Sequence, residues 1–146
     1  MARYAAGFTT TATAAAAAIA DLRSGSGERL YVREIGLFLA AATASSIGLY
    51  RPSTLGTAST SVTAVPVDPA DAAATGSVGT AWSVAPAVSS NVPLRKAALP
   101  AAIGNGIIWT FPDRNGLVVP VSSSLLLWNW GGSTNSILNG YIEWEE

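Results

Sequence analysis

The chain has 146 residues, 49% of them apolar and 12% charged, with a formal net charge of -1. That length fits one domain with a real core, while the charged share is about half of the usual ~25%, so much of the surface is Ser/Thr/Ala or is covered by other copies. A basic excess is missing, which argues against nucleic acid or an anionic membrane as partner. The absence of Cys and His removes disulfides, thiolate nucleophiles, histidine bases and most zinc sites.

Residues 1–20 are rich in Ala and Thr. Arg3 followed by the alanines of 14–18 and by Ile19-Ala20 imitates a signal peptide, but Thr9, Thr10, Thr11 and Thr13 interrupt the apolar stretch, and no such segment is expected. No run reaches the roughly 18 apolar residues of a membrane-spanning helix. The alanine run invites a helix, an idea weakened by the threonines and by the lack of charged i,i+4 pairs. The expectation is an extended arm or first strand over 3–11, lying on another surface or forming a sheet edge, with residues 21–146 as a single β-sandwich domain.

Ser24-Gly25-Ser26-Gly27 is a turn. Residues 28–40 (ERLYVREIGLFLA) then form a long strand. At period two, Tyr31, Arg33, Ile35, Leu37 and Leu39 share one face, and Leu30, Val32, Glu34, Gly36 and Phe38 the other. Both faces are largely apolar, which predicts a strand covered on both sides. Arg33 and Glu34 stand out within it. They are read as sheet-face charges with partners such as Glu143 or Arg51, or as an ion pair between subunits. A short strand at 46–53 ends at Pro52. Residues 54–81 read as a long surface excursion, with one helical turn at 68–74 capped by Asp68. A short strand at 80–84 carries Trp82, and 93–99 carries the adjacent bases Arg95 and Lys96, expected to be a solvated edge.

The clearest local signal is 106–120 (GIIWTFPDRNGLVVP). Ile107, Trp109 and Phe111 alternate with Ile108 and Thr110, Pro112-Asp113-Arg114-Asn115-Gly116 supplies turn chemistry, and Leu117-Val118-Val119 resumes the extended pattern. The expectation is a β-hairpin. Residues 125–130 (LLLWNW) point Leu126, Trp128 and Trp130 one way and Leu125, Leu127 and Asn129 the other. In 138–146, Ile142 and Trp144 point inward and Tyr141, Glu143 and Glu145 outward. About eight to ten short antiparallel strands without a convincing helix predict an all-β sandwich or barrel, jelly-roll-like, with an extended N-terminal arm.

Composition leaves carboxylate pairs as the one catalytic option. Glu34 and Glu143 could meet across strands, as the two acids of a glycosidase would, but nothing local indicates a cleft. Asp68 and Asp71 lack the dense alternating acids of a calcium loop, and the glycines follow no phosphate-cradle spacing. No enzyme, cofactor, metal or small-molecule substrate is expected. The five tryptophans are core or interface anchors, or a platform for sugars. Trp128 and Trp130 are the best candidates for exposure.

Several short motifs occur together: Arg33-Glu34-Ile35-Gly36-Leu37-Phe38, Leu49-Tyr50-Arg51-Pro52-Ser53 with Gly56-Thr57, Ile108-Trp109-Thr110-Phe111, Gly116-Leu117-Val118-Val119-Pro120 and the ending Tyr141-Ile142-Glu143-Trp144-Glu145-Glu146. In these, the chain resembles small all-β proteins of tailed bacteriophages, the assigned ones being capsid decoration, or cement, proteins. The resemblance covers roughly residues 30–146 and excludes the Ala-rich start. It implies a structural virion protein on the capsid surface, made in the host cytoplasm, that trimerises and ties neighbouring major capsid subunits together, with no catalytic residues to carry over. Arg3, Tyr4, Phe8, Arg33, Glu34, Trp128 and Trp130 are the candidate interface residues. The alternatives are a carbohydrate- or receptor-binding module of a phage fibre and a tail or neck structural protein.

Overall fold

The computed structural model describes residues 1–89, 92–113 and 116–146. Its strands in chain order are β1 (Arg3–Thr9), β2 (Ala17–Arg23), β3 (Leu30–Leu39), β4 (Ser45–Tyr50), β5 (Thr57–Thr63), β6 (Val65–Pro66), β7 (Ser77–Val84), β8 (Arg95–Leu99), β9 (Gly106–Thr110), β10 (Leu117–Val119), β11 (Ser124–Asn129) and β12 (Leu138–Glu145). No helix occurs among the described residues. The chain is the expected antiparallel β-sandwich. The first sheet has the order β10-β3-β12-β1-β6, with β9 also on β3, and the second the order β5-β7-β2-β11-β4-β8.

The pairings are nested. Inside β1–β12 lie β2–β11, β3 with β9 and β10, β4–β8 and β5–β7. The chain therefore runs out and back as a double ribbon that rolls over a single core. The described residues form twelve strands in two sheets of six, against the eight strands of a simple jelly roll. The expected excursion over 54–81 contains β5, β6 and the start of β7. Asp68 caps a turn there, accepting from the Ala70 N–H at 3.0 Å, rather than a helix.

Within the first 20 residues, Arg3–Thr9 forms a first strand, one of the two alternatives expected for this segment. β1 pairs with β12 along its whole length, from Arg3 opposite Glu145 to Thr9 opposite Asn139, and with β6 on its other side. β2 begins at Ala17 and sits inside the second sheet. Alanine's small side chain lets this segment lie flat between neighbours; its helix preference of a few tenths of a kcal/mol per residue is outweighed by a strand's worth of ladder bonds and burial.

Two sequence expectations fail at one place, Arg33. In the β3–β12 register Glu143 stands opposite Glu34 and Trp144 opposite Val32, so Arg33 is an extra residue. This bulge reverses the phase of the alternation. Leu30 and Val32 before it and Ile35, Leu37 and Leu39 after it all enter the same core. β3 is thus covered on one face, not two. On its other edge, β9 and β10 both run antiparallel to β3, with Gly106 opposite Phe38, Thr110 opposite Glu34 and Leu117 opposite Val32. They are one interrupted strand, not a hairpin. The Phe111 N–H still donates to the Arg33 carbonyl at 2.9 Å. Pro112, which has no N–H to give to the ladder, then starts an outward excursion. Asp113 within it is ion-paired with Arg33. Of the five turn residues, Arg114 and Asn115 lie outside the described residues.

Between the sheets, Leu30, Ile35, Leu37, Ile142, Trp144 and Phe8 of the first meet Leu22, Ile47, Leu49, Val78, Leu125 and Leu127 of the second. Trp144 is the largest side chain fully buried, and Ile142 and Trp144 point inward as their period-two spacing predicts. Each such burial contributes about 1.5–3 kcal/mol.

Candidate interaction surface

The two outer faces of the sandwich differ in chemistry. On the first sheet the outward positions of β1, β3 and β12 carry Arg3, Tyr31, Arg33, Glu34, Tyr141, Glu143 and Glu145. Arg3 pairs with Glu143. Arg33 pairs with Asp113, and its Nε lies 3.6 Å from Glu145 Oε1. Glu34 and Glu143 face each other across the strands, a destabilising placement for like charges. Arg3 offsets one of them, and the Tyr141 hydroxyl donates to the other. That hydrogen bond to Glu34, with burial and the acids' charge, pushes the Tyr141 hydroxyl up to about 12. The face is a solvated network of ion pairs.

The outer face of the second sheet is apolar and aromatic at its centre, over β11 and β4. Leu126 of β11 stands opposite Asp21 of β2 and Tyr50 of β4, and Trp128 stands opposite Ala18 and Gly48. Gly48 is a floor: a Cβ there would come within 2.4 Å of the Tyr50 ring and 3.2 Å of Trp130. Trp130 follows β11 and is held by its indole N–H, which donates to the Ile47 and Ala97 carbonyls at 3.1 and 3.3 Å. The Lys96 ammonium lies 3.6 Å from the centre of its ring, a cation–π contact. Leu126 and Tyr50 are buried although they point away from the core, while Trp128 and Trp130 are half-exposed. The accessible part of this face is the partly exposed rings of Trp128 and Trp130, with the Lys96 ammonium against the latter.

Beside these residues sits a buried acid. Asp21 is fully buried, and its Oδ2 accepts from Arg23 Nε at 2.7 Å. Arg23 also donates to the Leu55 carbonyl at 2.7 Å and the Gly56 carbonyl at 3.3 Å, fastening the β4–β5 corner to the sheet. That corner needs glycine: Gly56 has φ +65, and a Cβ there would lie 2.3 Å from the Val84 carbonyl oxygen. Burial pushes the Asp21 carboxyl up to about 6, against the opposing pull of the Arg23 guanidinium beside it. Gly79 stands opposite Asp21 and leaves it room.

The sequence-predicted interface residues therefore do not form one site. Arg3, Arg33 and Glu34 lie together on the outer face of the first sheet, with partners other than those expected: Glu143 goes to Arg3, and Arg33 takes Asp113 and Glu145. Tyr4 and Phe8 point into the core, and the Tyr4 hydroxyl donates to the Ala72 carbonyl at 3.1 Å. Trp128 and Trp130 lie on the opposite outer face. Sequence reasoning missed Tyr50, Lys96, Asp21 and Arg23 as parts of that face. Alternation from Leu22 puts Asp21 outward, but its cover comes from β7 and the β4–β5 corner, distant in sequence. Among the described residues, no group of three His, Cys, Asp or Glu is placed to hold a metal ion. No family model matches this chain, and no curated protein or solved structure compared with it matches either.

Proposed function

We propose that the chain is a structural assembly protein that docks on a larger protein shell, as a decoration protein of a phage head docks on its capsid, and that it works as a small homo-oligomer, a trimer by the resemblance. The observation that carries this reading is the contrast between the outer faces: one bears Arg3, Glu143, Arg33 and Glu145 in ion pairs, the other the partly exposed rings of Trp128 and Trp130 beside the buried Tyr50 and Leu126. Charged residues are depleted and aromatics enriched at the centres of protein interfaces. The resemblance of its short motifs to phage head proteins suggests the kind of shell. Stabilisation would follow from mass action, because binding only assembled subunits opposes their release.

A sugar-binding reading draws on the same tryptophans. Against it stands Trp130, whose indole N–H is spent inside the chain and whose ring is capped by Lys96, where a sugar platform presents a free ring face.

The test is sedimentation with capsids that lack this protein. The chain is expected to pellet with them and raise their melting temperature, and Trp128→Ala to abolish pelleting while the free protein keeps its fold. A chain that ignores capsids and binds a glycan array refutes the reading.

A further inference from the structure

The lateral flanks of the sandwich carry complementary features. One flank is made by β5 and β6, edges of the second and first sheets joined through Ala64. The other is made by β8 and the β9–β10 strand, which lie at the opposite edges and approach each other. In the seam of this second flank lies a pocket of about 310 Å³, lined by Leu94, Arg95, Phe111, Pro112, Gly116 and Leu117. Its lining side chains are apolar except for Arg95. The Arg95 guanidinium is 5.6 Å from the centre of the Phe111 ring and, among the described residues, has no acidic partner.

The first flank presents a matching knob. Val65 and Val67 are 67% and 55% exposed, bracket Pro66 and are followed by Asp68. The knob is fixed in place: Val65 and Pro66 pair with β1, and the Val67 N–H donates to the Arg3 carbonyl at 2.8 Å. Asp68 gives one oxygen to its own turn and has no cationic partner among the described residues. Between Arg51 and Arg95 the only charged residues are Asp68 and Asp71. A proline in β6 discourages ladder pairing at the edge, so the flank offers side chains rather than a strand.

We propose that segment 65–68 of one copy docks in the Leu94–Phe111–Leu117 pocket of a second copy of this chain, a valine entering the apolar pocket and Asp68 pairing with Arg95. This deepens the self-association part of the function proposed above. The occupant is a second copy because the chain itself carries both halves, an aliphatic pair beside an acid and a pocket beside an arginine that has no acidic partner among the described residues. Knob and pocket are on opposite flanks, so the contact is head-to-tail and each copy uses both. Such contacts close into rings when the rotation between copies allows it.

The experiment is light scattering of the full chain over a concentration series at low ionic strength, for the wild type, Arg95→Glu, Asp68→Arg, the double variant and Val67→Ser. The wild type is expected to associate. Each charge reversal should weaken association about tenfold or more, because a charge pair at an interface becomes repulsive or clashes, and the double variant should recover most of the loss. Val67→Ser, at an exposed position, should weaken association about tenfold without lowering the melting temperature. A monomeric wild type, an oligomer indifferent to all three single variants, or a double variant no better than the singles overturns the proposal. Capsid sedimentation separates the two readings. A monomer that still pellets with capsids refutes the flank contact alone, and an oligomer with the predicted variant pattern that ignores capsids refutes only the docking.

Discussion

Asp21→Asn tests whether a buried charge on the second sheet limits the stability of the fold. The carboxyl moves from an ordinary value of 3.8 to about 6 on folding. A shift of about two units makes the ionised, folded state about 3 kcal/mol less favourable than it would be with an unshifted acid. A raised carboxyl stabilises the fold fully below its unfolded value, and that contribution is lost as pH rises through the folded value near 6. Linkage then makes the wild type about 1.4 kcal/mol more stable at pH 5 than at pH 8 from this group alone. The asparagine cannot ionise and lacks that slope. Its own offset, from a weaker bond to Arg23, is about 1–3 kcal/mol and the same at both pH values. The readout is therefore the change with pH in the difference between the two proteins. Urea unfolding followed by tryptophan fluorescence at pH 5, 6, 7 and 8 measures it, with the urea dependence held equal between variants. Parallel stability curves for wild type and Asp21→Asn refute the reasoning. So does a wild type whose difference from the variant grows with pH.

Gly79→Ala should destabilise the fold by about 1–3 kcal/mol, because its Cβ would lie 2.2 Å from Asp21 Oδ1 and Arg23 holds that carboxylate in place. Thermal melts should show a smaller cost when the substitution is made in an Asp21→Ala background. Glu146 accepts from the Thr75 N–H and hydroxyl, the Gly76 N–H and the Trp144 indole at 2.8–2.9 Å. Burial raises its carboxyl, but these hydrogen bonds outweigh burial and hold it below the ordinary value. Its contribution is present above about pH 4.5 and is lost as pH falls through the depressed value. Glu146→Gln should cost about 1–2 kcal/mol at pH 7, discounted for partial exposure. Denaturant titrations at pH 7 and pH 3 should show that gap closing in acid.

The legible part of the protein was whatever alternation and turn chemistry express within a few residues. The lack of helix among the described residues, the strands at 28–40, 46–53, 125–130 and 138–146, and the inward set of Ile142 and Trp144 follow from side chains at period two between glycine, proline and serine turns. The same local rule placed Leu126 and Trp128 on one face of β11, with Trp130 following on the same side. What only the tertiary structure decided arises where residues far apart in sequence meet. β5 has little apolar signal of its own and is a strand because β7 pairs with it. Residues 106–119 look like a hairpin because Pro112 to Gly116 carry turn residues, yet one strand continues past them since β3 offers ladder partners on both sides of the break. The bulge at Arg33 shifts the phase by one residue, and a one-residue shift exchanges the two faces of a strand, so all the large aliphatics of β3 reach the same core. Asp21 sits on an outward position and is buried all the same, because burial depends on what crosses over a residue, and the covering segments come from other parts of the chain.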